Sequence, residues 1–262
     1  MERERLDVLL VKRGLVESRE KAQALIRTGQ VLVNGQTVIK PSQKFPHDVE
    51  IRIKEPLKYV SRGGYKLEWA LDNFGVDVKG YVCLDVGAST GGFTDCLLQR
   101  GAARVYAVDV GRGQLDWRLR NDPRVIALEK VHAAHLSREH VPEDVDLITV
   151  DVSFISLTRI LDNIVRFKKP EGRMLTLIKP QFEVHPRYVG KGGVVRSREA
   201  RKWAIKRVVD KFMELGLPVS GIIKSRPRGP KGNEEFFLYS SPGVHVEDVD
   251  KEIEKALDMP VD

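Results

Sequence analysis

Apolar residues in this chain repeat with two different periods, and the places where each runs decide which elements are expected. Leu6, Leu9 and Leu10 have helical spacing with a stop at Gly14, and Ser18 stands as the cap of a second helix whose stripe is Ala22, Leu25 and Ile26, ending at Gly29. Val31 to Val33, Asn34-Gly35 and Gln36 to Val38 then spell a hairpin, because Asn-Gly supplies the left-handed residues of a type I′ turn. Ile51 and Ile53 alternate in a last short strand. Residues 1–58 are therefore expected to form a small α+β unit. A turn-rich stretch that Pro56 opens and Ser61-Arg62-Gly63-Gly64 closes supplies a linker, counted as 59–64.

Beyond it, short continuous apolar runs alternate with helical stretches. Tyr65 to Leu71 is amphipathic, and Cys83 to Val86, Val105 to Val108, Val125 to Leu128, Val145 to Val150 and Met174 to Ile178 read as buried strands. Asp95 to Arg100, stopped by Gly101, is helical, as are Leu157, Ile160, Leu161, Ile164 and Val165 by their spacing. Ala200 to Leu215 is a long basic helix stopped by Gly216. Val219 to Ile223 and Glu235 to Tyr239 are two strands joined by the turn-rich Arg226 to Asn233. Alternating strand and helix predicts an α/β fold over residues 65–245, a parallel sheet covered on both faces. The last strand pair adds one antiparallel strand, and 246–262 is expected to be a C-terminal helix with a frayed end.

A hydrophobic content of 42% in 262 residues is an ordinary folded composition. No stretch reaches about 18 consecutive apolar residues and the N-terminus has no apolar signal region, so neither a membrane span nor secretion is expected and cytoplasm is the default compartment. Cys83 falls in a predicted strand and Cys96 in a predicted helix, which suits two small buried residues rather than a disulfide or zinc site. The six histidines have no ligand spacing, and no metal is expected.

Charge changes the picture more. The net charge is +7, and residues 1–58, with twelve basic against eight acidic side chains, hold over half of it. Arg3, Arg5, Lys12, Arg13, Arg19, Lys21 and Arg27 cluster in and around the first two helices, where they are expected to run along phosphates, which supply affinity without reading sequence. Phe45 is the only aromatic residue before Tyr59, so structured RNA suits this unit better than a single strand.

The candidate chemistry starts at Asp85-Val86-Gly87-Ala88-Ser89-Thr90-Gly91-Gly92-Phe93-Thr94. At the carboxyl end of a parallel strand, a glycine-rich turn lets backbone N–H groups approach a ligand closely. Gly87 and Gly92 have the spacing of a phosphate-cradling loop and Thr94 fits, but Phe93 stands where the lysine must be. The dinucleotide fingerprint fails at Ser89, where its second glycine should admit the pyrophosphate. Asp85 decides between the remaining readings: a carboxylate at the mouth of the loop repels a diphosphate and attracts S-adenosylmethionine, which carries ammonium and sulfonium charges. Asp85, Gly87, Ala88, Ser89, Thr90, Gly91, Gly92 and Phe93 are thus expected cofactor contacts. Asp109, closing the run Arg104 to Val108, is expected to accept from a ribose diol, and the antiparallel ending of the sheet is that of a Rossmann-like methyltransferase.

Topology gathers four further charges at the same edge. Asp151 follows Val145 to Val150, Lys179 follows Met174 to Ile178, Glu235 begins the antiparallel strand, and Lys66 lies on the helix ahead of the cofactor strand. Such a set suits methyl transfer to a ribose hydroxyl, a poor nucleophile whose proton a general base must remove. A free lysine, with a pKa of about 10.4, is protonated at neutral pH, whereas a second ammonium and partial desolvation tune active-site lysines to roughly 7 to 8. Lys179 is expected to be the base, with Lys66 and Asp151 as tuning and orienting partners, Asp151 also meeting the cofactor, and Glu235 as the orienter of Lys66 or of the hydroxyl. The sequence leaves open which lysine does what. The basic loop Gly190 to Arg196 is either a lid over RNA or a plain flexible loop.

Residues 2 to 58 resemble the RNA-binding domain first seen in ribosomal protein S-four. Nearly the whole chain is similar to the TlyA family, known both as hemolysins and as ribosomal RNA 2′-O-methyltransferases. The resemblance is carried by Ser61-Arg62-Gly63-Gly64-Tyr65-Lys66-Leu67, the Asp85 to Thr94 loop, Asp151-Val152-Ser153-Phe154-Ile155-Ser156, Lys179-Pro180-Gln181-Phe182-Glu183 and Gly232-Asn233-Glu234-Glu235-Phe236. With the related FtsJ-like enzymes, it implies a Lys-Asp-Lys-Glu tetrad on Lys66, Asp151, Lys179 and Glu235. Glu234 is adjacent, and strand alternation decides which carboxylate faces the site. Glu129-Lys130-Val131-His132-Ala133 departs from the family by lacking its Asn and Arg, which leaves the adenine contacts open. The implied function is S-adenosylmethionine-dependent methylation of a ribose 2′-hydroxyl in ribosomal RNA or ribosomal subunits. Two alternatives stand beside it: a membrane-active hemolysin, which no long apolar segment supports, and an RNA-binding protein whose methyltransferase-like domain is not catalytic, against which the intact tetrad argues.

Overall fold

A computed structural model describes residues 3–54 and 57–260. Pro56, expected to open a linker, and the last two residues of the C-terminal tail lie outside the described residues. The chain divides between Lys58 and Tyr59 into two units.

The first unit contains β1 (Arg3–Arg5), α1 (Leu6–Lys12), α2 (Arg19–Arg27), β2 (Val31–Val33), β3 (Gln36–Val38), β4 (Lys44–Pro46) and β5 (Ile51–Ile53). The Ser18 hydroxyl caps α2 by accepting from the Lys21 N–H. Asn34 and Gly35 take φ of 49° and 77°, the left-handed values a type I′ turn demands. The strands form a three-stranded antiparallel sheet, β3-β2-β5, and a separate β1-β4 pair. β1 (Arg3-Glu4-Arg5) and β4 (Lys44-Phe45-Pro46) lack the apolar alternation and turn signal that mark β2, β3 and β5, so neither is expected from the sequence. Leu6, Leu10, Ala22, Ile26, Val31 and Val33 build the core.

The second unit contains α3 (Arg62–Phe74), β6 (Val82–Val86), α4 (Gly92–Gln99), β7 (Arg104–Asp109), α5 (Trp117–Arg120), β8 (Val125–Glu129), β9 (Val145–Val150), α6 (Leu161–Ile164), β10 (Lys168–Ile178), α7 (Pro180–Glu183), α8 (Arg198–Glu214), β11 (Gly221–Lys224), β12 (Phe236–Ser240) and α9 (Val249–Asp258). The sheet order is β11-β12-β10-β9-β6-β7-β8. Only β12 runs antiparallel, to both its neighbours. Side chains alternate between two cores, as strand geometry requires. Leu84, Val86, Ile148, Val150, Phe236 and Leu238 face one layer, and Cys83, Leu147, Leu175, Leu177, Phe237 and Tyr239 face the other.

Several boundaries move from their expected places, each for a local reason. The 59–64 stretch is not a free connector: Tyr59 is buried against Gly64, and the Ser61 side chain accepts from the Gly63 N–H, so α3 starts at Arg62. The Ser197 hydroxyl caps α8 two residues earlier than expected. The periodic run from Leu157 breaks into a 3₁₀ turn, the short α6 and a second 3₁₀ turn. Ile253, Ala256 and Leu257 of α9 are buried in the first of the two cores, so α9 packs as part of the unit. Glu235 precedes β12 instead of beginning it.

Candidate active site

Strand register brings the candidate residues together. Phe236 pairs with Ile178, Val150 with Thr176 of β10, and Val86 with Val150, so Glu235, Lys179, Asp151 and Gly87 follow one another along one edge of the sheet. The Asp151 N–H donates to the Val86 carbonyl at 2.9 Å. Lys66 arrives from the second turn of α3, whose start is locked onto the start of α4: a Cβ at Gly92 would stand 2.8 Å from the Gly64 nitrogen.

Two ion pairs result. Lys66 Nζ donates to Glu235 Oε2 at 2.6 Å, with both side chains buried. Lys179 Nζ lies 2.6 Å from Asp151 Oδ1 and donates to Ser153 Oγ at 2.9 Å. Glu235 Oε1 is buried without a hydrogen-bond partner, an acceptor left over beside the lysine. Glu234 points elsewhere, pairing with Arg201 and, at 3.4 Å, with Lys224 Nζ.

Two adjoining cavities open at this edge, and both include Gly87, Ser89, Asp151 and Ser153 in their walls. One, of about 520 Å³, runs past Asp109, Gln114, Val131, His132 and Ile155. The other, of about 420 Å³, is lined by Arg62, Lys66, Thr90, Phe93 and Lys179. Gly87 shapes their seam: at φ 87°, a Cβ would stand 2.5 Å from the Asp151 carbonyl oxygen, so only glycine lets the loop lie against that strand end. Asp109 accepts from the Ser89 and Gly111 N–H groups at 2.8 and 2.7 Å and still faces the larger cavity. The first cavity's size, mainly apolar far wall and carboxylate rim fit a nucleoside-bearing cation such as S-adenosylmethionine.

Other expected contacts lie differently. Asp85 is fully buried and lines neither cavity; it accepts from the Thr94 hydroxyl at 2.7 Å and the Thr149 hydroxyl at 3.1 Å. Burial pushes its carboxyl up to about 7, with the Asp151 charge adding, against the two threonine hydrogen bonds. It therefore supports the loop from beneath rather than meeting a ligand at its mouth. Ala88, Thr90, Gly92 and Phe93 do line the second cavity, Phe93 also stacking on Phe237, while Gly91 is buried in the turn.

In the first unit, many of the expected phosphate contacts have intramolecular bonds. Asp7, fully buried, accepts from Arg5 at 3.0 Å, and from Arg19 and Gln23 at 2.9 Å. Burial opposes the Asp7 charge, but these hydrogen bonds outweigh it and hold the carboxyl well below its usual range. Lys12 pairs with Glu4, Lys21 with Glu17, Arg13 donates to the Val49 and His47 carbonyls, and Arg27 to Gln23. Arg3 stands exposed in β1.

Four site features were not read from the sequence. A Cβ at Gly229 would stand 2.5 Å from Glu235 Cδ, so Gly229 makes room for the carboxylate. Glu183, buried, accepts from Ser156 Oγ at 2.6 Å and the Leu157 N–H at 2.8 Å, tying α7 to the segment after Asp151; burial raises its carboxyl above the ordinary range. Phe154 sits at φ 64° with 91% of its surface exposed. Asn233 pins the basic loop by accepting from the Val195 N–H and donating to the Gly193 carbonyl. Gly229 had one sequence signal, a glycine inside a turn-rich run, and Phe154, Glu183 and Asn233 stand in the motifs that carry the resemblance, with no role legible from them.

The fold and the cleft at its switch edge are those of the Rossmann-like methyltransferases. The chain belongs to the FtsJ-like methyltransferase family, whose model matches residues 59–241, and it carries an S4 domain matched over residues 4–51. It is 44% identical over 239 residues, 90% of this chain and 89% of the relative, to the 16S/23S rRNA (cytidine-2'-O)-methyltransferase TlyA of Mycobacterium tuberculosis. It is 42% identical to Hemolysin A of Brachyspira hyodysenteriae, across 90% of this chain and 98% of that one. A solved structure from Streptococcus thermophilus, whose description carries the hemolysin name, superposes with a TM-score of 0.74 at 38% identity, covering 98% of this chain and 95% of that chain.

Proposed function

We propose that this protein transfers a methyl group from S-adenosylmethionine to a ribose 2′-hydroxyl of ribosomal RNA, with a cytidine as the target nucleotide, as the names of its relatives specify for them. The observation that carries the reading is the pairing Lys66–Glu235 and Lys179–Asp151 at the seam of two adjoining cavities.

When bound, S-adenosylmethionine supplies a methyl group on a cationic sulfur, open to attack by an oxygen. The chain's residues do the rest. Asp109, Gln114 and the 131–133 segment hold the nucleoside end, and Gly87 to Gly92 hold the amino-acid end through backbone groups. Lys179 Nζ, oriented by Asp151 and Ser153, takes the hydroxyl proton as the oxygen attacks. Lys66, fixed by Glu235, orients the hydroxyl. The S4 unit supplies affinity for folded RNA. A lytic role has no comparable support, since among the described residues no helix is long and apolar enough to cross a membrane.

The test is transfer of labelled methyl to ribosomal subunits and to deproteinised RNA, followed by ribose-specific mapping. Label on a 2′-oxygen that disappears in Lys179→Ala supports the assignment. Label on a base, or none with cofactor demonstrably bound, overturns it.

A further inference from the structure

A third cavity, of about 350 Å³, opens where α7 ends, between residues 184–188 and the first turns of α8. Tyr188 and Trp203 line it with 46% and 53% of their surfaces exposed. Each ring carries a guanidinium on its face: Arg187 stands 4.8 Å from the Tyr188 centroid and Arg207 5.5 Å from that of Trp203. We infer that this groove is a second RNA-binding subsite, stacking unpaired bases that flank the target nucleotide.

Three observations point to RNA rather than to a protein surface. Both walls offer an exposed ring, and Arg187 in the lining adds a cation beside Tyr188, so a stacking face and a phosphate partner stand together, which single-stranded nucleic acid needs and an apolar peptide does not. The acidic residue in the lining, Glu199, already accepts from the Ser197 hydroxyl. The groove also stands close to the active site along the chain. It starts one residue beyond α7, whose four residues span about 6 Å from Lys179, and Arg207 donates at 2.6 Å to the carbonyl of Glu183, whose carboxylate holds Ser156 and Leu157. RNA running from the target hydroxyl along α7 meets these rings next. The small core of Val184, Val195, Ala200 and Ala204 beneath keeps the walls in place without it.

The inference rests on the proposed reaction for the identity of the polymer, so its test measures binding directly. The full chain would be titrated with a fluorescent single-stranded decaribonucleotide and with deproteinised ribosomal RNA, comparing Trp203→Ala, Tyr188→Ala and Trp203→Phe; cofactor affinity reports folding of each variant. Loss of one stacked base predicts an RNA affinity about tenfold weaker for either alanine variant, with the phenylalanine variant near wild type and cofactor binding unchanged. Methyl-transfer kinetics should show the change in KM rather than kcat. Wild-type RNA affinity in both alanine variants overturns the inference. So does an effect confined to intact subunits, which would assign the groove to a protein partner. A protein that binds the oligonucleotide through these rings yet methylates no RNA refutes the proposed reaction and leaves the subsite standing.

Discussion

Gly229 and Glu235 share one space. The carboxylate of Glu235 fills the position a side chain at 229 would take, with Cδ 2.5 Å from where a Cβ there would stand, and in doing so it reaches Lys66. The colliding group is the end of a long side chain, but it is buried and ion-paired, so it moves only by giving up Lys66. Gly229→Ala is expected to lower methyl transfer at least tenfold while leaving cofactor affinity unchanged, because Gly229 lines neither cavity. Isothermal titration with the cofactor beside single-turnover kinetics on RNA separates the two effects.

The Lys66–Glu235 pair is a buried one, and removing a single partner strands the other's charge. Lys66→Met is expected to destabilise the protein by about 3 to 5 kcal/mol. The double variant Lys66→Met/Glu235→Gln removes both charges, so it should recover most of that stability and none of the activity. Urea unfolding of the single and double variants decides the point: equal destabilisation in both would show that the ion pair itself, rather than an uncompensated charge, sets the cost.

Two buried carboxylates give stability opposite slopes with pH. Asp85 holds its proton up to about 7 in the folded state, whereas in the unfolded chain it ionises near 4. The folded state therefore binds more protons between those values, and its stability falls as pH rises from about 4 to about 7, by up to about 4 kcal/mol, then levels. Asp7 is held below its ordinary value, so its contribution is full above pH 4 and is lost as acid protonates it. Asp85→Asn should flatten the slope between pH 4 and 7, and Asp7→Asn should weaken the acid limb. Thermal unfolding of the cofactor-free protein at half-unit steps of pH reads both, and an unchanged slope in Asp85→Asn would refute the first.

These particular residues also mark how far the sequence could be read. The parallel strands were legible because both their faces are buried, so Val145 to Val150 and Met174 to Ile178 stand out as unbroken apolar runs ending in Asp151 and Lys179. Glu235 was legible through the neighbouring alternation of β12, although the ladder begins one residue later. Asp85 was not, because a carboxylate at a strand end looks the same whether it faces a ligand or two threonine hydroxyls from β9 and α4. Arg5 and Arg19 have a second partner that a basic cluster does not reveal: both donate to Asp7, an apparently ordinary helix-start acid. Gly229 and Glu183 act through residues distant in sequence, and no local period encodes that.

Phe154 is the remaining test. Its φ of 64° costs a non-glycine residue about 1 to 2 kcal/mol, and its ring gains little from packing: 91% is exposed, with Phe182 a tilted neighbour at 5.1 Å between centroids. A strained, solvated aromatic three residues after Asp151 contributes little packing, and its position on the cavity rim beside Ser153 suits a stacking face for the target base. Phe154→Gly relieves the strain against about 0.5 to 1 kcal/mol for glycine's added freedom in the unfolded chain, so stability should stay level or rise slightly. Loss of the ring should lower kcat/KM for RNA about tenfold or more in both Phe154→Gly and Phe154→Ala, with cofactor affinity retained. Melting temperature and steady-state kinetics on the same preparations settle it: a destabilised glycine variant with wild-type kinetics would make Phe154 a packing residue and remove it from the site.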